Sequence, residues 1–297
     1  VSGYEGTLTN SGDDQKFGYY FGGSEQNQTE LVVYYNRAAN GGAGACYWYD
    51  SARGIVGGTN MVDTAISGTT DRYHIHNARL SKDGTTIRLD SPASDGERIF
   101  FWRAGTNHVT QCLSDCGGHL ALGYSHLVND PNNSDMADVL IRPLSNLWAT
   151  SLRVNPLPWP RKWTDSHWTW NDANPSDTMP VCGSFYNSHG KGNGAQNVWT
   201  NPVLQITAPY DREIVCVSTS GPSKVWRFAH TRASGAANDN AWAGSSFWAI
   251  PRGNVSQDGR FYMFTSDWEW SLGNPKGSWG CPWEGVCRTD VFIVELH

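Results

Sequence analysis

Three histidines, His76, His119 and His167, are the residues of this chain best suited to do chemistry. Imidazoles brought together bind a divalent metal or pass protons as acid and base. His74 and His76 lie two residues apart, so in an extended strand they share one face. A second group is Trp163, Asp165, Trp168, Trp170, Asp172 and Asp177. Acids interleaved with indoles suit sugar binding, because rings stack on sugar faces while carboxylates accept hydroxyl hydrogen bonds. Each group has a plainer reading. Histidines cap strands or tie neighbouring sheets, and a Trp-rich segment packs between sheets. Asp130-Pro131-Asn132-Asn133-Ser134-Asp135 is dense in oxygen ligands and would suit Ca²⁺. It lacks the glycine and terminal Glu of an EF-hand loop, so a solvated Asx turn is the better reading.

Other reaction signatures are absent. The sequence has no Gly-x-Ser-x-Gly elbow, no His-Glu-x-x-His and no phosphate-binding glycine loop. Paired glycosidase carboxylates cannot be assigned, since they would come from distant segments. The net charge of −6 argues against a nucleic-acid partner, and the linear sequence shows no Lys/Arg cluster. No apolar run approaches the ~18 residues of a membrane span.

The elements that must position these residues are strands. Helical periodicity is missing; apolar residues come in short runs punctuated by Gly, Pro, Asn and Asp. Ser256-Gln257-Asp258-Gly259 precedes Arg260–Ser266, and Ser81-Lys82-Asp83-Gly84 precedes Thr85–Leu89. A shortened form, Ser94-Asp95-Gly96, precedes Arg98–Trp102. Further strands are expected at Leu31–Tyr35, Cys46–Tyr49, Val139–Ile141, Leu204–Ile206, Ile214–Val217, Val225–Phe228 and Asp290–Leu296. A recurring turn-plus-strand unit in an all-β chain predicts a single β-propeller domain over residues 1–297. Five units run approximately 1–65, 66–112, 113–162, 163–238 and 239–297, which favours five blades. A repeat of ~40–45 residues would instead give about seven.

The Ser-x-Asp-Gly-Arg-Phe-x-x-Phe-Thr-Ser phrase, with Asp290–Leu296, resembles the blade repeat of TolB-like propellers, a group that includes oligogalacturonate lyase-like secreted proteins. That resemblance implies that the first strand of each blade lines a channel. It would place Tyr73–His76, Gly118-His119, Ser166–Trp168 and Trp248–Arg252 there. It implies His76, His119 and His167 as metal-holding or catalytic residues acting on a uronate, with Arg252 for a substrate carboxylate. Trp163, Trp168, Trp170 and Asp165 would bind the sugar. The complete ligand set is not assignable, so the cofactor stays unknown, with a divalent metal as the candidate.

Seven cysteines and a first residue that is not Met suggest a processed protein of an oxidising compartment, secreted or periplasmic. Cys112/Cys116 and Cys281/Cys287 are spaced to close short loops, and Cys216 reads as a buried free thiol. Asn27, Asn132 and Asn254 open glycosylation sequons. Fifteen Trp and only 17% charged residues leave three functions open. These are a glycan-directed lyase or hydrolase, a non-catalytic carbohydrate-binding propeller, and a self-associating surface or filament subunit.

Overall fold

The computed structural model describes residues 22–23, 30–36, 44–50, 54–60, 77–93, 96–103, 109–112, 116, 119–129, 139–147, 152–155, 166–170, 176–185, 210, 212–233, 251–268, 272 and 289–296. All of the regular structure there is strand. β1 (Gly22–Gly23), β2 (Glu30–Asn36), β3 (Gly44–Asp50) and β4 (Gly54–Asn60) form the first sheet, in that order. β5 (Asn77–Leu80), β6 (Thr86–Ala93), β7 (Gly96–Arg103) and β8 (Val109–Cys112) form the second. The third is β9 (Leu120–Leu122), β10 (His126–Asn129), β11 (Val139–Pro143) and β12 (Leu152–Asn155). The fourth is β13 (Ser166–Trp170), β14 (Val181–Phe185), β15 (Glu213–Val217) and β16 (Val225–His230). β17 (Gly253–Val255), β18 (Phe261–Ser266) and β19 (Asp290–Glu295) make a three-stranded fifth.

Each sheet is an antiparallel meander of consecutive strands. First strands of successive sheets pack together: β5 lies against β1 and β2, and β13 against β17. Separate up-and-down sheets joined through their first strands follow the β-propeller plan. The described sheets fall inside the five sequence units.

The chain divides into two compact units, one of Val1–Gly117, Leu122–His126 and Pro143–Ala149, the other of Gly118–Ala121, Leu127–Arg142 and Thr150–His297. In the first, Ile87, Leu89, Phe100 and Trp102 are wholly buried. Arg88 is buried with them and donates from Nη2 to the Cys116 carbonyl at 3.2 Å. The second has two apolar layers on opposite faces of the fourth sheet. Trp168, Trp170, Val181, Val215 and Val217 meet Ala121, Val128, Val139 and Ile141 on one face. Cys182, Ile214 and Cys216 meet Val255, Tyr262 and Phe264 on the other. β15 is therefore buried along its whole length, and its sequence Glu-Ile-Val-Cys-Val is a continuous run instead of an alternation. β18 alternates exposed and buried residues, as a strand with one covered face must.

The two full turn phrases fold identically. Ser81 and Ser256 donate from Oγ to Asp83 and Asp258 Oδ1, at 2.5 and 2.6 Å. The serine hydroxyl oxygens in turn accept from the Thr86 and Phe261 N–H groups, each at 2.9 Å. Gly84 and Gly259 take φ of 75° and 73°, which a side chain would resist. The shortened phrase stands elsewhere in the sheet: its Gly96 pairs with Ala93 at the end of the β6–β7 ladder, and Ser94 and Asp95 lie outside the described residues.

Asp258 is held below the ordinary carboxylate range by the Ser256 hydroxyl, then by the Arg260 N–H. A carboxyl depressed on folding stabilises above its unfolded pKa, and that contribution is lost as pH falls through the folded value. We expect the urea midpoints of wild type and Asp258→Asn to differ at pH 7 and converge towards pH 3. A gap that stays constant with pH would show that the turn does not depend on the ionised carboxylate.

Disulfides form between Cys112 and Cys116 and between Cys182 and Cys216. Cys216 is thus no free thiol: Cys182 and Cys216 are direct cross-strand partners on β14 and β15, with Cα atoms 4.0 Å apart. The long sequence gap hid this pairing. Cys281, Cys287, and the strand expected at Leu204–Ile206 lie outside the described residues.

Candidate functional site

His119 stands immediately before β9, and His167 is the second residue of β13. Their ring centroids are 4.2 Å apart and the planes are tilted by 49°. Both rings are half-buried, and Nδ1 of each is buried. Two imidazoles from different sheets therefore meet at the first-strand positions.

The neighbouring first strand is fixed against this one by polar contacts. Thr169 donates its hydroxyl to Asn254 Oδ1, joining β13 to β17. Ser184 donates to the Pro251 carbonyl at 2.5 Å. Arg252 follows directly; its N–H donates to Thr265 Oγ1 at 3.2 Å and its carbonyl accepts from the Thr265 N–H at 3.1 Å. Its backbone is clamped while its side chain is exposed.

Trp168 and Trp170 do not form a sugar platform. They are 4% and 2% exposed and sit in the apolar layer of the fourth sheet. Trp168 lies over Gly183, and Trp170 donates from Nε1 to the Met179 carbonyl at 2.9 Å. Rings sealed on both faces have no surface to offer a ligand, so the packing reading applies to these two. Asp177 is a buried turn residue with φ of 55°, whose carbonyl accepts from the Thr219 hydroxyl at 3.0 Å. His76, Trp163, Asp165, Asp172 and the 130–135 loop lie outside the described residues. Among the described residues no three His, Cys, Asp or Glu side chains gather as a metal set. The imidazole pair alone does not make up the ligand set implied for a divalent ion.

Sequence reading missed a charged group on the fourth sheet. Glu213, whose side chain is 5% exposed, accepts from Arg227 Nε at 2.6 Å and from Arg227 Nη2. His230 Nε2 lies 3.9 Å from the same carboxylate. The Arg227 guanidinium sits 5.5 Å from the Tyr210 ring centroid, and the Glu213 carboxylate raises its pKa. The available signal was charge segregation: Ile214–Asn238 holds Lys224, Arg227, His230 and Arg232 and no acid.

No family model matches the chain, and no curated protein matches it. Solved structures do. The β-propeller domain of the Trilobed protease from Pyrococcus furiosus is 10% identical, with 94% of this chain and 69% of that one covered and a TM-score of 0.45. A luciferin-regenerating enzyme is also 10% identical, covering 93% and 76%, at 0.47. A TolB-type protein from Agrobacterium tumefaciens is 11% identical, covering 94% and 90%, at 0.36.

Proposed function

We propose that this protein is a secreted or periplasmic β-propeller that engages a polysaccharide or glycan and acts on it as a lyase or hydrolase through the His119–His167 pair. The observation that carries the reading is the 4.2 Å approach of two half-buried imidazoles from different sheets. The two disulfides fit an oxidising compartment.

On a uronate the lyase step would run as follows. A neutral imidazole removes the proton beside the carboxyl group, and the freed electron pair forms a C=C bond. The glycosidic C–O bond breaks, and the imidazolium of the partner ring returns a proton to the leaving oxygen. Arg252, exposed beside β17, is the candidate for the carboxylate. The TolB-like and lyase-like resemblance supports this reading through its turn phrase.

The test is a turnover screen on uronate-containing and neutral polysaccharides, with unsaturated product followed at 232 nm and reducing ends counted. His119→Ala and His167→Ala are each expected to lower kcat by 10²–10⁴-fold, the usual contribution of an acid–base group, with binding retained. Unchanged kcat in both variants would remove the pair from the chemistry. Binding without turnover by the wild type would leave a carbohydrate-binding propeller.

A second reading is self-association with another copy of this chain. β19 is the edge strand of its sheet among the described residues. Phe261, Met263, Val291 and Ile293 form an exposed apolar face on β18 and β19, with Ile293 67% accessible. Light scattering at rising concentration decides it: a constant monomer mass eliminates this reading.

A further inference from the structure

We propose that the outer strand of the fourth sheet, β16, is a recognition strip for the carboxylate or sulfate groups of an acidic glycan, with Arg227 at its centre. The inference rests on the glycan reading above and names the charge class of the ligand and a second place where it docks.

The first observation is a bulge with a consequence. Val215 pairs with Arg227 but Ile214 pairs with Ala229, so Phe228 is the extra residue. Without it, Arg227 and His230, three residues apart, would point to opposite faces. With it, His230 lies opposite Glu213 and both side chains reach the same buried carboxylate. Burying a carboxylate is unfavourable unless it is paired, and Arg227 supplies that pairing through two N–H donors.

The second observation is how the donors point. Arg227 is 60% exposed and His230 54% exposed, although Glu213 beneath them is only 5% exposed. A guanidinium has five N–H donors. Nε and one N–H of Nη2 hold Glu213; the other three have no partner among the described residues. The carboxylate below and the Tyr210 ring beside it fix the fork in place. A pinned guanidinium with outward N–H groups matches the oxygens of a carboxylate or sulfate.

The third is the setting. Lys224 and Arg232 are exposed at the two ends of the strand, and Arg232 lies 5.7 Å from the Trp268 ring centroid. Tyr210, Arg212 and Arg232 all have positive φ, at 69°, 57° and 50°. Such conformations are unfavourable for side-chain-bearing residues and collect at ligand sites. Lys224, Arg227 and Arg232 lie within Ile214–Asn238, a stretch without an acid in a chain of net charge −6; the Arg227 charge is shared with Glu213, and those of Lys224 and Arg232 flank it. A sparse polyanion fits so short a strip. Nucleic acid, with a charge every few ångströms, would meet the acidic remainder of the protein.

The experiment measures binding of the whole protein to immobilised polygalacturonate, dextran sulfate, plain dextran and duplex DNA at two salt concentrations. Binding to at least one acidic polymer, at least tenfold tighter than to dextran and weakened by salt, is expected. Arg227→Ala should abolish that preference. Because this change strands Glu213, Lys224→Ala/Arg232→Ala is the second variant; it leaves the Glu213 pair intact and should weaken acidic binding several-fold. Equal binding to dextran and the acidic polymers, or acidic binding unchanged in both variants, overturns the strip and leaves the glycan reading standing. Preference for DNA overturns the glycan as its partner. Binding to no polymer overturns both readings.

Discussion

Gly253→Ala is expected to lower the melting temperature more than Gly183→Ala or Gly221→Ala. A Cβ built there would lie 2.3 Å from Tyr262 Cε1, 2.6 Å from Tyr262 Cζ and 2.6 Å from the Met263 carbonyl oxygen. None of these can yield cheaply. Tyr262 is wholly buried, and burial pushes its phenol pKa up. The Met263 carbonyl is backbone in the ladder between β17 and β18, where Asn254 faces Met263. Relief would require moving β17 away from β18, which also disturbs the Thr169–Asn254 bond to β13. Overpacking at the upper end of its usual range gives about 3 kcal/mol, and each kcal/mol is worth about 2–4 °C for a chain of this size class. Gly183→Ala should be milder, because the atoms in the way, at 2.8–3.0 Å, belong to the Trp168 side chain. Gly221→Ala separates strain from crowding. Its φ is +70° but nothing lies within 4 Å, so only the ~1 kcal/mol preference of the left-handed region for glycine is lost. Thermal melts should rank the three Gly253 worst, Gly183 next and Gly221 least. Gly253→Ala melting with the wild type would mean that β17 does not pack on Tyr262 as described.

How much of this was legible follows from the range over which each signal acts. The Ser-x-Asp-Gly turn is local: four residues hold their own hydrogen bonds, and both full copies fold alike. The strands with alternating or β-branched sequences, such as β6, β15 and β18, were equally readable. β14 was not. Its Val-Cys-Gly-Ser-Phe has weak strand propensity, and only the contact of Trp168 with Gly183 explains a glycine there. His119 and His167 were singled out from positions in successive units, and their rings do meet. Trp168 and Trp170 show the limit of composition. An indole count cannot say which ring faces solvent, because burial is decided by β9–β11 residues dozens of positions away. The Glu213–Arg227–His230 group depends on a one-residue bulge, and no period in the sequence announces one.

The Cys182–Cys216 bridge has the same non-local character, and removing it should have an effect comparable to that of Gly253→Ala. The two cysteines are 34 residues apart and close a loop that contains the segment between β14 and β15. Chain-entropy arguments assign such a loop about 3–4 kcal/mol of stabilisation, acting by restricting the unfolded chain. Both residues are buried, at 4% and 3% exposure, in the layer that holds Tyr262 and Phe264. Cys182→Ala/Cys216→Ala should therefore lower the urea midpoint clearly while leaving the sheet intact, since Val181, Gly183 and Ser184 keep their own ladder partners on β15. Reductant supplies the control. A thiol reagent should lower the wild-type midpoint towards that of the double variant and leave the double variant nearly where it was. Buried sulfurs react only when the sheet opens, so at low urea the change should appear slowly, over the time of unfolding rather than of mixing. The Cys112–Cys116 bridge spans only four residues. It restricts the unfolded chain less, so its alanine double variant should shift the midpoint by a smaller amount. Equal shifts from the two bridges would mean that loop closure is not what the longer one contributes, and that packing of its sulfurs against Tyr262 and Phe264 sets its effect instead.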